Sequence, residues 1–130
     1  MSSAIRILIT DDKPGTRRGL TAVLSFLPQV KIVAEAANGQ EALQQIAAHK
    51  PDVVLMDVRM PLMDGLEATR QIKQQWPTMY VIVLSMYSHY KAAALAAGAD
   101  VFLVKGCPYK MLQDAVLAST PQAKPSPVSS

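Results

Sequence analysis

The chain has 130 residues, of which 50% are hydrophobic and 18% are charged. This length and composition predict one globular domain with a real core, and they exclude an intrinsically disordered chain. The net charge of +3 comes from basic residues spread along the chain without a dense cluster, which argues against a nucleic-acid-binding surface.

The single cysteine, Cys107, excludes an internal disulfide and a zinc site made of thiolates, and it favours a reducing compartment. No stretch without charges is apolar enough for a membrane span, and the first residues lack the apolar core of a secretory signal. We therefore expect a cytoplasmic protein that has no membrane partner.

Five short apolar runs, most of them rich in β-branched residues, predict five β-strands. The runs are continuously apolar rather than alternating, which is typical of strands that are covered on both faces of a parallel sheet. The predicted strands are Ile5–Ile9, Lys31–Ala34, Val53–Met56, Tyr80–Leu84 and Val101–Val104.

Amphipathic patterns between the strands predict five helices. The first carries an apolar stripe at Leu20, Val23, Leu24 and Leu27, and in the last one Met111, Leu112, Ala115 and Val116 face inward. The predicted helix starts are Pro14, Asn38 with Glu41, Asp64 with Glu67, Ser88 and Pro108, and Gly98 ends the fourth helix.

Strands that alternate with helices predict parallel pairing, right-handed crossovers and helices on both faces of the sheet. The fold class is therefore α/β, a doubly wound (βα)5 unit around a five-stranded parallel sheet. We expect residues 1–119 to form this domain. Residues 120–130 contain three of the nine prolines and several serines, and they predict a flexible tail or a truncated linker.

Polar residues follow four of the predicted strands, at the sheet edge where open α/β folds bind ligands. Asp11 and Asp12 follow the first strand, Asp57 the third, Ser85 the fourth and Lys105 the fifth. We therefore expect three carboxylates, one hydroxyl and one ammonium to share a single crevice.

Three adjacent carboxylates repel one another, so a cation must compensate them. Mg²⁺ fits such a site because it prefers oxygen ligands and keeps several waters. A carboxylate in this setting can act as a nucleophile and form an aspartyl phosphate, and Asp57 is the central candidate. Lys105 would neutralise the transferred phosphoryl group, and Ser85 would donate a hydrogen bond to it.

The segments that carry these residues resemble the response-regulator receiver domain of bacterial two-component signalling. The resemblance covers about Ile5 to Ser119, and the local sequence around these motifs is most similar to the NarL/FixJ-type group with LuxR-type output. It implies a flavodoxin-like fold with strand order 2-1-3-4-5. The matching segments are Thr10-Asp11-Asp12, Asp57-Val-Arg-Met-Pro-Leu-Met-Asp64-Gly65, Leu84-Ser85 and Val104-Lys105.

The resemblance implies that Asp57 accepts a phosphoryl group from a phosphohistidine on a sensor histidine kinase. It also implies a Mg²⁺ site in which Asp12 and Asp57 bind the ion and Asp11 acts mainly through water. The backbone carbonyl of Arg59 is implied as a further metal ligand.

The resemblance further implies that Ser85 and Lys105 contact the phosphoryl oxygens and that Phe102 is the switch aromatic. The fourth helix, the fifth strand and the fifth helix would then form a surface that a partner or a second copy of the chain reads. In the NarL/FixJ-type group, transcription is controlled through a DNA-binding domain, and we expect no such domain within these 130 residues. The alternative is a stand-alone receiver that acts by protein–protein interaction or as a phosphorelay intermediate.

Two other interpretations stay open, and the chain departs from the family pattern in three places. A haloacid-dehalogenase-like phosphatase needs a second Asp two residues after the nucleophile, where this chain has Arg59. A receiver that no longer transfers phosphate would not need the complete set of site residues. Gly106 stands where many receivers have a proline, Lys13 replaces a common histidine, and Arg59 and Tyr87 occupy positions that tend to set the phosphoryl lifetime.

Overall fold

Strands and helices alternate along residues 4–119, the part of the chain that the computed structural model describes. The predicted tail, residues 120–130, lies outside the described residues. The strands are β1 (Ile5–Thr10), β2 (Val30–Ala36), β3 (Val53–Met56), β4 (Tyr80–Ser85) and β5 (Val101–Val104). The helices are α1 (Pro14–Leu24), α2 (Gly39–His49), α3 (Gly65–Gln75), α4 (Lys91–Ala96) and α5 (Tyr109–Leu117), and a 3₁₀ turn at Ser88–Tyr90 precedes α4.

The five strands form one parallel sheet in the order β2-β1-β3-β4-β5. The central strand β3 is buried along its whole length, with Leu55 paired to Ile9 on one side and to Ile82 on the other. The predicted doubly wound α/β fold, with its strand order 2-1-3-4-5, is therefore confirmed.

Two apolar layers cover the sheet, one on each face. Helices α2, α3 and α4 pack on one face through residues such as Ile46, Ile72 and Ala94. Helices α1 and α5 pack on the other face through Leu24 and Val116. Burial on both faces explains why the strand sequences are continuously apolar. None of the helices within residues 4–119 is both long and apolar enough to cross a membrane.

The predicted caps of α2 and α3 are confirmed by their hydrogen bonds. The side-chain oxygen Oδ1 of Asn38 accepts the backbone N–H of Glu41 at 2.9 Å, and Oδ1 of Asp64 accepts that of Glu67 at the same distance. Each cap satisfies a backbone donor that the first helical turn leaves without a partner. Gly98 follows α4 with a φ of +110°, the left-handed conformation that suits a helix end.

Three details of the predicted helices are wrong. Ser88 makes no cap hydrogen bond, because it lies inside the 3₁₀ turn whose N-cap is Tyr87. Met111 is 48% exposed, whereas the other three residues predicted to face inward on α5, Leu112, Ala115 and Val116, are buried. Leu27 is buried as its apolar character suggests, but it lies in the turn after α1 rather than on the helix.

Candidate functional site

Four polar side chains from the ends of four strands line one cleft at the carboxyl edge of the sheet. Asp12, Asp57, Ser85 and Lys105 all line this cleft, which has a volume of about 410 Å³. Asp11 is 1% exposed, and its carboxylate lies beside those of Asp12 and Asp57. The structure thus brings together every residue that the sequence placed at the strand ends.

The three aspartates form a compact cluster of oxygen donors. Asp11, Asp12 and Asp57 each offer a carboxylate oxygen, and these three atoms lie within 4.8 Å of one another. Such a donor set suits a hard divalent cation like Mg²⁺. Within residues 4–119, the ammonium of Lys105 is the one that contacts the cluster, so it balances only part of the negative charge.

Lys105 bridges two of these carboxylates. Its Nζ lies 2.7 Å from Oδ2 of Asp11 and 3.3 Å from Oδ1 of Asp57. Burial acts to lower the pKa of Lys105, but the hydrogen bond to Asp11 and the charges of both carboxylates outweigh it and raise this pKa. The side chain is therefore held as an ammonium, and the hydrogen bond from its backbone N–H to the carbonyl of Ser85, 2.7 Å, anchors its base.

Asp57 is 8% exposed and is held from both its backbone and its side chain. Its backbone N–H donates to the carbonyl oxygen of Thr10 at 3.0 Å, and its Oδ1 accepts the N–H of Val58 at 2.9 Å. Burial raises the pKa of Asp57, Asp11 raises it further, and Lys105 opposes the shift without cancelling it. The ionised carboxylate is therefore held at an electrostatic cost that a bound cation would relieve.

Gly65 allows the chain to pass close behind Asp57. Its backbone N–H donates to the carbonyl oxygen of Val58 at 2.8 Å. A Cβ atom at this position would lie 1.8 Å from the carbonyl oxygen of Asp57, which no contact can tolerate. The glycine of the Asp64-Gly65 motif is thus required by the close approach of α3 to the residue that carries the central carboxylate.

Ser85 is 2% exposed at the end of β4. Its Oγ accepts the backbone N–H of Tyr87 at 3.1 Å, and its own hydroxyl hydrogen can turn toward the cleft that it lines. Phe102 does not line this cleft. It is partly buried in the layer of α2, α3 and α4, so the structure places it as a packed strand aromatic.

Arg59 and Tyr87 line the mouth of the cleft and contact each other. The guanidinium carbon of Arg59 lies 5.6 Å from the ring centroid of Tyr87, which is a cation–π contact. Lys13 also lines the cleft, and its backbone N–H donates to Oδ1 of Asp11 at 2.9 Å. Lys13, Arg59 and Tyr87 therefore all line the cleft.

Arg17 touches the site and was missed by sequence reasoning. Its Nη1 donates to the backbone carbonyl oxygen of Asp11 at 2.6 Å, and its Nε donates to Glu35 at 2.8 Å. An arginine on the first helix reads as a surface residue in sequence. No local signal marks it, because the contact to Glu35 on β2 exists only after the sheet has formed.

Comparison with known proteins identifies the family of this arrangement. The family profile of the response regulator receiver domain matches residues 7–117. A protein-glutamate methylesterase/protein-glutamine glutaminase of Pseudomonas syringae is 44% identical over 106 residues, which are 78% of this chain and 27% of that protein. The transcriptional regulatory protein LnrK of Bacillus subtilis is 40% identical over 103 residues, 78% of this chain and 47% of that protein.

A solved structure agrees with these sequence matches. The signal receiver domain of a response regulator NarL from Mycobacterium tuberculosis superposes with a TM-score of 0.83 at 35% identity, covering 89% of this chain and 95% of that one. This match supports the resemblance to the NarL/FixJ-type group. The chain spans about a quarter to a half of the length of the two curated relatives.

Proposed function

Because this chain belongs to the response regulator receiver domain family, we propose that Asp57 accepts a phosphoryl group from a sensor histidine kinase. Receiver domains act in two-component signalling as phosphorylation switches. The observation that carries the proposal for this chain is the ammonium of Lys105, which contacts Asp57 and Asp11 at the edge of an open cleft.

In the proposed reaction, a carboxylate oxygen of Asp57 attacks the phosphorus of a phosphohistidine. An oxygen–phosphorus bond forms while the nitrogen–phosphorus bond breaks, and the imidazole leaves with the electron pair and takes up a proton. Lys105 already lies against Asp57, so it can follow the transferred oxygens without a large movement. Ser85 can donate its hydroxyl hydrogen to the same oxygens.

We propose Mg²⁺ as the cation of this site, held by Asp12 and Asp57 directly, by Asp11 mainly through water, and by the backbone carbonyl of Arg59. The three clustered carboxylates fit such an ion, since all offer oxygen donors and Lys105 alone balances only part of their charge. When bound, Mg²⁺ would neutralise negative charge on the transferred phosphoryl group.

The added phosphoryl group would act as a switch. It brings a charge of about −1.5 to −2 at neutral pH, which attracts Lys105 and draws the hydroxyl of Ser85 away from the N–H of Tyr87. Movement of Ser85 would leave room for Phe102 to turn inward from its partly buried place on β5. The surface of α4, β5 and α5 would thereby change, and a partner or a second copy of the chain could read it.

For the whole protein we propose control of transcription in the cytoplasm, through a DNA-binding domain that is not in this sequence. The support is the likeness to a NarL receiver and to the transcriptional regulatory protein LnrK. The alternative is a stand-alone receiver or phosphorelay intermediate, and the gene sequence after codon 130 would separate the two. We propose no turnover of external substrates, because Arg59 occupies the place where a phosphatase of the haloacid dehalogenase type needs its acid.

Beryllofluoride, a mimic of the phosphoryl group, tests the switch by NMR. We expect amide shift changes at Asp57, Ser85 and Lys105 on adding beryllofluoride with Mg²⁺, extending through Phe102 into α4 and α5. The matched control is Asp57→Asn, which keeps the size of the side chain and should show none of these changes. Changes confined to Asp57 would contradict the proposed route through Ser85 and Phe102.

A further inference from the structure

Arg17, which the proposed reaction does not use, ties the turn that carries Asp11 and Asp12 to both α1 and β2. Its guanidinium donates from Nη1 to the backbone carbonyl oxygen of Asp11 at 2.6 Å and from Nε to Oε1 of Glu35 at 2.8 Å. The Arg17 side chain is 17% exposed. Both hydrogen bonds are charge-assisted. The one to Asp11 is partly buried, whereas the one to Glu35 is more open to water, because the Glu35 side chain is 43% exposed.

We infer that Arg17 is a positioning residue for the cation site, one that sets the affinity of the site for Mg²⁺ without touching the ion. This inference rests on the proposed Mg²⁺ site. The carbonyl that Arg17 holds belongs to the peptide that joins Asp11 to Asp12. Fixing this peptide fixes the direction in which the Asp12 side chain leaves the backbone.

The other polar groups of Asp11 also form hydrogen bonds, so with the contact from Arg17 its backbone N–H, its backbone carbonyl and both carboxylate oxygens all have a partner. The N–H of Asp11 donates to the carbonyl oxygen of Ala36 at 3.0 Å. Oδ1 accepts the N–H of Lys13 at 2.9 Å, and Oδ2 accepts Nζ of Lys105 at 2.7 Å. Asp11 therefore serves as a fixed base from which the peptide to Asp12 is oriented.

The start of α1 has little else to secure it. Within the helix only Leu24, at the far end, is buried, and the N-cap residue Lys13 makes no side-chain cap hydrogen bond. The fork from Arg17 to Asp11 and Glu35 thus links the first turns of α1 to the edge strand β2. Without it, the turn between β1 and α1 would keep its hydrogen bonds to Ala36 and Lys105 but would lose the side-chain contact that connects it to α1.

Charge alone predicts the opposite effect of Arg17 on Mg²⁺. A guanidinium beside a cation site repels the ion, so removing it should tighten binding if Arg17 acted only through its charge. A positioning residue weakens binding when it is removed, and loss of such outer contacts costs about 10- to 100-fold in metal affinity. The sign of the change therefore separates the two explanations.

The test is a Mg²⁺ titration followed by amide NMR shifts, which report the affinity and the integrity of the fold in one experiment. We expect Arg17→Ala to bind Mg²⁺ about tenfold more weakly than the wild type. Arg18→Ala is the matched control, because Arg18 is the next residue, is exposed, and makes no ion pair within residues 4–119. Arg18→Ala removes the same charge as Arg17→Ala, and its Mg²⁺ affinity should stay within about twofold of the wild-type value.

Two conservative variants separate geometry from charge. Arg17→Lys keeps the charge but not the planar fork, so it should remain weaker than the wild type. Glu35→Gln keeps an acceptor for Nε and should bind nearly as the wild type does, whereas Glu35→Ala should weaken binding. If Arg17→Ala fails to fold, this Glu35 pair carries the test, and equal Mg²⁺ affinity in the two would overturn the inference.

Binding by folded Arg17→Ala that equals or exceeds that of the wild type would also overturn the inference. A wild-type protein whose amides near Asp12 and Asp57 do not respond to Mg²⁺ would instead overturn the proposed cation site itself. The two failures are thus distinguishable within one set of titrations.

Discussion

Replacing Asp57 with asparagine should make the protein more stable at neutral pH when no divalent cation is present. Asparagine has almost the same shape, and its Oδ1 can still accept the N–H of Val58, which Asp57 accepts at 2.9 Å. What changes is the charge. Asp11 and Asp12 place oxygens within 4.8 Å of those of Asp57, and each such pair repels by about 3.5 kcal/mol at an effective dielectric constant of about 20.

The attraction to Lys105 at 3.3 Å recovers about 5 kcal/mol on the same scale, which is less than the two repulsions together. Burial of the carboxylate adds to the cost, in agreement with the raised pKa of Asp57. We therefore expect Asp57→Asn to raise the free energy of unfolding by about 2 kcal/mol. For a domain of this size, that corresponds to about 8 °C in the melting temperature.

Urea denaturation followed by circular dichroism in EDTA at pH 7.5 measures this difference. The cost exists only while Asp57 is ionised, so it is present above its raised pKa. It disappears as the pH falls toward the ordinary value of 3.8 and the wild-type carboxyl takes up a proton. The difference in unfolding free energy between Asp57→Asn and the wild type should therefore become smaller as the pH falls. Mg²⁺ should also make this difference smaller at pH 7.5, because it stabilises the wild type.

The control is Asp114→Asn, which removes an exposed carboxylate paired with Lys110 at 3.1 Å on α5, outside the set of cleft-lining residues. Its effect should stay within about 0.5 kcal/mol. An Asp57→Asn variant that is no more stable than the wild type in EDTA would refute the charge reasoning, as would an advantage that grows with acidification.

Two further changes test the packing and the charge balance around the cleft. Gly65→Ala should destabilise the fold by more than about 3 kcal/mol, because the new Cβ would lie 1.8 Å from the carbonyl oxygen of Asp57. A Cβ atom added at Gly19 on α1 would meet nothing within 4 Å, so Gly19→Ala should stabilise the fold by about 0.5–1 kcal/mol. Thermal unfolding measures both variants, and a change of stability with the same sign in the two would contradict the geometry. Lys105→Gln should cost about 3 kcal/mol in EDTA, because it leaves Asp11 and Asp57 without their ammonium. Mg²⁺ should recover part of this loss in the same unfolding assay, and an unfolding energy equal to the wild type would disprove the bridging role.

Most of the fold could be predicted because the sheet is buried on both faces. A strand such as Val53–Met56 is apolar at every position, and this pattern is visible without knowledge of its neighbours. The cap residues Asn38 and Asp64 act within four residues along the chain, so their sequence signals are also local.

The fourth helix was harder to predict, since α4 is a six-residue alanine-rich helix preceded by a 3₁₀ turn. Its start depends on how the segment after β4 leaves the sheet rather than on a cap signal. The predicted cap at Ser88 was wrong for this reason. The predicted inward placement of Met111 was wrong because Met111 lies beside, and not within, the buried stripe of α5 that Leu112, Ala115 and Val116 form.

Some residues of the candidate site could likewise be predicted from the sequence, and others could not. Asp12, Asp57, Ser85 and Lys105 could be grouped from sequence, because parallel strands end at one edge of the sheet and each residue follows a strand directly. The bridge from Lys105 to Asp11 spans 94 positions, and its distances follow only from the fold. Arg17 gave no signal at all, since its two acceptors, Asp11 in the turn after β1 and Glu35 on β2, come together only in the folded sheet.

The central claim, that Asp57 is the phosphoryl acceptor, is tested most directly by intact-protein mass after incubation with acetyl phosphate and Mg²⁺. We predict that the wild type and Asp114→Ala each gain about 80 Da, the mass of one phosphoryl group. Asp57→Ala should gain nothing under the same conditions. Equal labelling of Asp57→Ala and the wild type, or no labelling of a wild type that binds Mg²⁺, would contradict the account.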